Sequence, residues 1–149
     1  MAIERRPGYA DLVGRSSAEQ HAANIDSGEN RYFLLEDAAG TLLAFAILQG
    51  IGHANGLVYL KRIAVASPGQ GSGKRFLLSL IRMAFEEFGA AKFWLDAFVT
   101  NSRARHVYAA CGMSEDGILR EHYPLPDGHR ADLVVMSILR REWLAGKDA

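Results

Sequence analysis

The chain has 149 residues, 49% hydrophobic and 23% charged, a balance that fits one globular domain spanning 1–149 and burying about two-thirds of its unfolded surface. Lys plus Arg equals Asp plus Glu at 17 each, so no net field draws the chain to nucleic acid or to an anionic membrane. Cys111 alone cannot build a disulfide framework, and with no ~20-residue apolar run and no signal-peptide core near the start, a cytoplasmic, metal-free protein is expected.

In chain order, Ala2 to Arg6 reads as a short first strand. Asp11 to Ile25 has helical character, with Ser16 or Ser17 as N-cap and His21 on the helix surface. Arg31 to Glu36 and Thr41 to Gly50 read as an antiparallel hairpin joined through Asp37-Ala38-Ala39-Gly40. A loop from Gly50 to Gly56 follows, and His53 within it is expected to be solvated.

Next comes the stretch that organises the chain. The apolar run Leu57 to Ala66 breaks at Ser67-Pro68-Gly69, and a helical pattern starts at Ser72, so the order is strand, glycine-rich turn, helix. Gly69, Gly71 and Gly73 let backbone N–H groups close around an anion, and the helix N-terminus adds unpaired N–H groups and a positive dipole end. Lys74 and Arg75 oppose that dipole unless a polyanion is bound. This stretch is therefore read as a phosphate site. It fails the Walker pattern, which needs Gly at Pro68 and Ser or Thr at Arg75, and the third glycine comes one residue early for the dinucleotide fingerprint.

The helix from Ser72 to Phe88 presents Phe76, Leu77, Leu80, Ile81, Ala84, Phe85 and Phe88 at helical spacing, with Gly89 placed to end it. Lys92 to Phe98 is then a strand parallel to Leu57–Ala66, because strand-helix-strand crossovers give that arrangement. Asn101 N-caps a short helix that carries Ala104, Val107, Tyr108 and Cys111 on one face and ends at Gly112. Tyr108 is either a core aromatic or a functional hydroxyl, and Cys111 reads as a small core residue. Gly117 to Tyr123 and Ala131 to Leu139 form a final hairpin around Pro124-Leu125-Pro126-Asp127-Gly128, and Arg140 to Trp143 with a polar tail closes the chain.

The turn, with Gly71 and Gly73 after the strand ending Ile63-Ala64-Val65, resembles the acetyl-CoA motif of the GNAT family of N-acetyltransferases, although Pro68 stands where Arg or Gln is usual. The Asn101, Ala104, Tyr108, Gly112 series is similar to that family's helix after the fifth strand. The run Leu119-Arg120-Glu121-His122-Tyr123-Pro124, then Asp127-Gly128, Asp132 and Met136, resembles the subgroup that acetylates ribosomal-protein N-termini, with His122 replacing one aromatic.

The resemblance implies a mixed, mostly antiparallel sheet of six or seven strands, splayed between two parallel central strands, with helices on both faces. It implies acetyl-CoA as co-substrate, held by Ile63, Ala64 and Val65 along its pantetheine arm and by Gln70, Gly71, Ser72, Gly73, Lys74 and Arg75 at its diphosphate. Asn101 and Tyr108 would complete that site, with the Val65 amide as candidate oxyanion donor. Tyr108 would protonate the departing thiolate, and Asp96 would serve as base, with Glu121, Glu36 or water as alternatives. The acceptor is a primary amine: a protein or peptide N-terminus, or a small molecule such as a polyamine, aminoglycoside or amino acid. A non-catalytic acyl-CoA-binding module and an ATP-binding protein are the rival readings, and monomer or homodimer are both open.

Overall fold

The computed structural model describes residues 28–148. The strand expected at Ala2–Arg6 and the helical pattern of Asp11–Ile25, with His21, lie outside the described residues. Six strands form one sheet: β1 (Asn30–Glu36), β2 (Leu42–Gln49), β3 (Leu57–Val65), β4 (Lys92–Phe98), β5 (Ser114–Pro124) and β6 (Arg130–Leu139). Their order across the sheet is β1-β2-β3-β4-β6-β5, and every neighbouring pair is antiparallel except β3 with β4. The turn between β1 and β2 is closed by Asp37, whose Oδ1 accepts from the N–H groups of Ala39 and Thr41 at 2.9 Å each. In β2, Ala44 to Leu48 are all buried, as a strand covered on both faces requires.

The parallel pair carries the feature that matters most. Its ladder runs only from Leu57 with Lys92 to Leu60 with Leu95, although β3 continues to Val65 and β4 to Phe98. The cause lies on the other edge of β3. There Ile47 pairs with Arg62 and Leu48 with Leu60, leaving Lys61 as an extra residue. Such a bulge bends and twists its strand, and this one sits at the point where β3 leaves β4. The expected splay is present.

Helix α1 (Ser72–Glu86) connects β3 to β4 and buries Phe76, Leu77, Leu80, Ile81, Ala84 and Phe85. Gly89 has φ 64, the left-handed conformation expected after the helix. Helix α2 (Ser102–Ala110) is capped by Asn101, whose side chain accepts from the Ala104 N–H at 3.2 Å. A third helix, α3 (Arg140–Lys147), occupies the segment read from the sequence as a closing tail. It docks through Trp143, whose ring centroid lies 5.2 Å from that of Phe85. Arg140 Nη1 also donates to the carbonyls of Phe85 (2.7 Å) and Ala90 (3.1 Å), which satisfies acceptors at the C-terminal end of α1.

Helix α1 supplies the helical part of the larger core cluster, with Ala44, Ala46, Leu48, Val58, Leu60, Phe93, Leu95, Val134, Met136 and Ile138 from the strands, and α2 and α3 pack Val107, Tyr108 and Trp143 against it. The opposite face of the sheet carries a smaller cluster of Phe45, Ile47 and Ala64. Phe93 is fully buried at the centre of the larger cluster. Phe93→Ala is expected to cost about 3–5 kcal/mol, a large share of the ~5–15 kcal/mol that holds a domain together. Urea unfolding would read this as a lower midpoint at unchanged slope.

Candidate active site

Past the last β3–β4 pair, the diverging strands enclose a cleft of about 690 Å³, within the range of small-molecule and cofactor sites. One wall is the stretch Leu60 to Val65 of β3, and the other is Asp96 to Phe98 of β4. The glycine turn and first turn of α1 close one end, while α2 contributes Tyr108, Val107 and Ala104. His122 and Tyr123 of β5 border it as well.

Of the residues singled out in the sequence, Ile63, Ala64, Val65, Gly71, Ser72, Gly73, Lys74, Asp96, Asn101 and Tyr108 all line this cleft. Gln70 and Arg75 stand in the same turn and helix but are not among the lining residues, and neither are Glu36, Glu121 and His53. Elements far apart in sequence thus bring most of the predicted set into one space.

The turn leaves the first amides of α1 without side-chain caps. Gly71 is the N-cap of α1 at φ 75, and no side chain caps the helix. The first backbone bond of the helix is Arg75 N–H to Gly71 C=O at 3.1 Å, so the amides of Ser72, Gly73 and Lys74 have no intrahelical acceptor. A Cβ on Gly71 would meet nothing within 4 Å, whereas one on Gly73 would press on Val65 Cγ1 at 3.2 Å. Gly71 therefore keeps the approach to the amides open, and Gly73 lets the helix sit close on β3.

Two basic side chains serve this end of the cleft. Lys74 is exposed in the first turn of α1. Arg103 comes from the first turn of α2, and its Nη2 lies 3.3 Å from where a Cβ on Gly69 would stand. Arg103 is not among the residues singled out in the sequence. The signal was available, since a cation in a first helical turn opposes the dipole there as it does at Lys74.

Tyr108 lies where α2 meets the diverging strands. No described group hydrogen-bonds its hydroxyl, and no buried side-chain polar atom is left unsatisfied, so the hydroxyl is open to the cleft. Burial, together with the nearby charges of Asp96 and Cys111, pushes its phenol up to about 12. It therefore stays protonated, a donor, throughout the physiological range. Asp96 accepts a hydrogen bond from the Tyr59 hydroxyl at 2.8 Å. Tyr59, also absent from the sequence reading, has its phenol raised by burial and by the Asp96 charge. Cys111 is buried, its thiol pushed up by desolvation, in keeping with a core role.

The β5 wall has an unusual backbone. Leu119 pairs with Leu133 and Tyr123 with Ala131, so Arg120, Glu121 and His122 face Asp132 alone. Glu121 sits at φ 49, a strained conformation for a side-chain-bearing residue. Asp132 Oδ1 holds its N–H at 2.7 Å, and Arg130 donates to the carbonyls of Glu121 (2.5 Å) and His122 (3.0 Å). The bulge turns His122 and Tyr123 toward the cleft, where Tyr123 meets the Phe98 ring edge-on at 5.1 Å.

The sequence matches the model of the acetyltransferase (GNAT) family over residues 3–113. The chain belongs to the GNAT family. Among curated relatives, the ribosomal protein bS18-alanine N-acetyltransferase of Haemophilus ducreyi is 31% identical over 97 residues, 65% of this chain and 66% of the relative. The spermidine N(1)-acetyltransferase of Vibrio cholerae is 30% identical over 130 residues, 85% of this chain and 73% of the relative. This GNAT chain thus spans a little under two-thirds of the first of these and more of the second. Among solved structures, a dodecameric spermidine N-acetyltransferase from Vibrio cholerae superposes with TM-score 0.74 at 26% identity, covering 85% of this chain and 74% of that one. No helix among the described residues is long and apolar enough to cross a membrane.

Proposed function

We propose that the protein transfers an acetyl group from acetyl-CoA to a primary amine, and that the amine is a peptide N-terminus. The observation that carries the first part is the cleft itself: a strand fork that runs from helix-end amides without an intrahelical acceptor to the Tyr108 hydroxyl, which no described group hydrogen-bonds. The residues present suit the donor. The amides of Ser72, Gly73 and Lys74, with Lys74 and Arg103 near them, would hold its diphosphate, and the Ile63–Val65 stretch of β3 would run beside its pantetheine arm. Acetyl-CoA supplies an activated thioester whose carbonyl carbon gains the bond to nitrogen as its bond to sulfur breaks.

Around that exchange, this chain's residues manage protons. Asp96 takes a proton from the acceptor nitrogen, directly or through one water, because an ammonium has no lone pair to attack with. An α-amino group of pKa ~8 asks less of this base than an alkyl amine of pKa ~10. Tyr108 donates a hydrogen bond to the leaving sulfur, and the proton that the thiolate finally takes up is replaced on Tyr108 by the second proton that the nitrogen sheds as it becomes an amide. A sensor that only binds acyl-CoA has no use for that donor, and the turn lacks the lysine-serine pair of an ATP site.

Charge supports the peptide acceptor over the polyamine. Among the described residues lining the cleft, Asp96 is the one carboxylate, against Lys61, Arg62, Lys74 and Arg103. A polyamine, each of whose amines is protonated at pH 7, needs several acidic partners. The greater coverage of the spermidine acetyltransferase keeps that acceptor as the second reading. The test follows free thiol release and the mass gain of one acetyl group on the acceptor. An alanine-terminated peptide is expected to exceed spermidine by at least about 10-fold in kcat/KM, equivalent to ~1.4 kcal/mol. Spermidine turning over faster than the peptide would reverse the assignment.

A further inference from the structure

Tyr59 stands on β3 directly opposite Trp94 of β4 in the parallel ladder. Its ring stacks on the indole, with 4.2 Å between centroids and 26° between planes. Trp94 and Asp96 are two residues apart on one strand, so their side chains leave the sheet on the same face. The phenol held on Trp94 thus points along that face, and its hydroxyl reaches Asp96 Oδ2. Asp96 is the first β4 residue beyond the last ladder pair, Leu60 with Leu95, at the mouth of the fork. A carboxylate there has no cross-strand neighbour on β3 to settle its rotamer.

We propose that Tyr59 is a positioning residue: fixed by Trp94, its hydroxyl holds one oxygen of Asp96 and leaves Oδ1 to receive the acceptor's proton. The inference rests on the reading of Asp96 as the base. It also answers a difficulty in that reading, since aspartate is short and a short base benefits most from being held in one place. The titratable and charged groups around the pair are Arg62 and Lys61 on β3, Tyr108 on α2, and His122 and Tyr123 on β5. None of them is hydrogen-bonded to the Asp96 carboxylate in the way Tyr59 is.

The test is a double-mutant cycle with Tyr59→Phe and Asp96→Asn in the full chain, read by thiol release from acetyl-CoA with an alanine-terminated peptide. Tyr59→Phe keeps the stacked ring and removes only the hydroxyl. It is expected to leave KM for acetyl-CoA unchanged and to lower kcat/KM for the peptide about 10-fold at pH 7. The loss should shrink to under ~3-fold at pH 9.5, where an α-amine of pKa ~8 is already neutral. In the Asp96→Asn background the same change should cost nothing further. An equal loss in both backgrounds, a loss independent of pH, or no loss at all in an active parent overturns the positioning role alone. A parent that releases no thiol with any amine overturns the acetyl-transfer reading, and this inference falls with it.

Discussion

Tyr108→Phe is expected to lower turnover about 10- to 1000-fold, at or below the lower part of the ~100- to 10,000-fold range that general acids contribute, while leaving the affinity for acetyl-CoA nearly unchanged. The phenol, pushed up to about 12, is a much weaker acid than a thiol of pKa ~8.5. Full proton transfer to the departing sulfur is therefore uphill by about three pKa units unless another proton is released in the same step. In the proposed reaction, what Tyr108 would supply as the C–S bond breaks is first a hydrogen bond to a developing charge, worth about 1.5–3 kcal/mol, or roughly 10- to 150-fold in rate. Because no described group is hydrogen-bonded to this hydroxyl, its removal orphans no partner. The unfolding temperature should hold. Steady-state kinetics with thermal unfolding on the same sample check both halves. Unaltered turnover would make Tyr108 a packing residue and leave the leaving group to depart unaided.

The parts of this molecule that local pattern dictates were legible in the sequence, and the parts set by contacts between distant segments were not. Lys92–Phe98 was bounded to the residue because Gly89 ends the preceding helix and Thr100-Asn101 starts the next. The glycine turn was legible because Gly71 and Gly73 restrict backbone and packing in ways few other residues meet. Helix α3 was not, because Leu139 stands at its N-cap, where Ser, Thr, Asp or Asn would announce a start. Its entry is stabilised instead by Glu142, which accepts from the Leu139 N–H at 2.9 Å. The extra residue Lys61, which opens the fork, is a matter of register between β2 and β3, and alternation within one strand does not reveal register. Tyr59 joins Asp96 across 37 residues of sequence through the stacking that Trp94 provides. No spacing rule connects them.

Gly71→Val should abolish coenzyme binding, raising the dissociation constant at least about 100-fold. The position has φ 75, and a Cβ there meets no atom of the chain within 4 Å, so the new side chain enters the space left for a ligand in front of the Ser72, Gly73 and Lys74 amides. Losing two charge-assisted hydrogen bonds at about 1.5–3 kcal/mol each accounts for a change of that size. A branched side chain at positive φ also strains the backbone by roughly 1–2 kcal/mol, which by itself would lower the unfolding temperature by a few degrees. Gly40→Val separates the two effects. Gly40 has φ 79 and equally open surroundings, but it lies in the turn between β1 and β2, outside the cleft. It should show the same loss of stability with unchanged affinity. Titration calorimetry with CoA on both variants distinguishes the outcomes. Equal affinity in the two would mean that the glycine turn shapes the backbone without touching the diphosphate, and the anion site would have to be sought nearer Arg103.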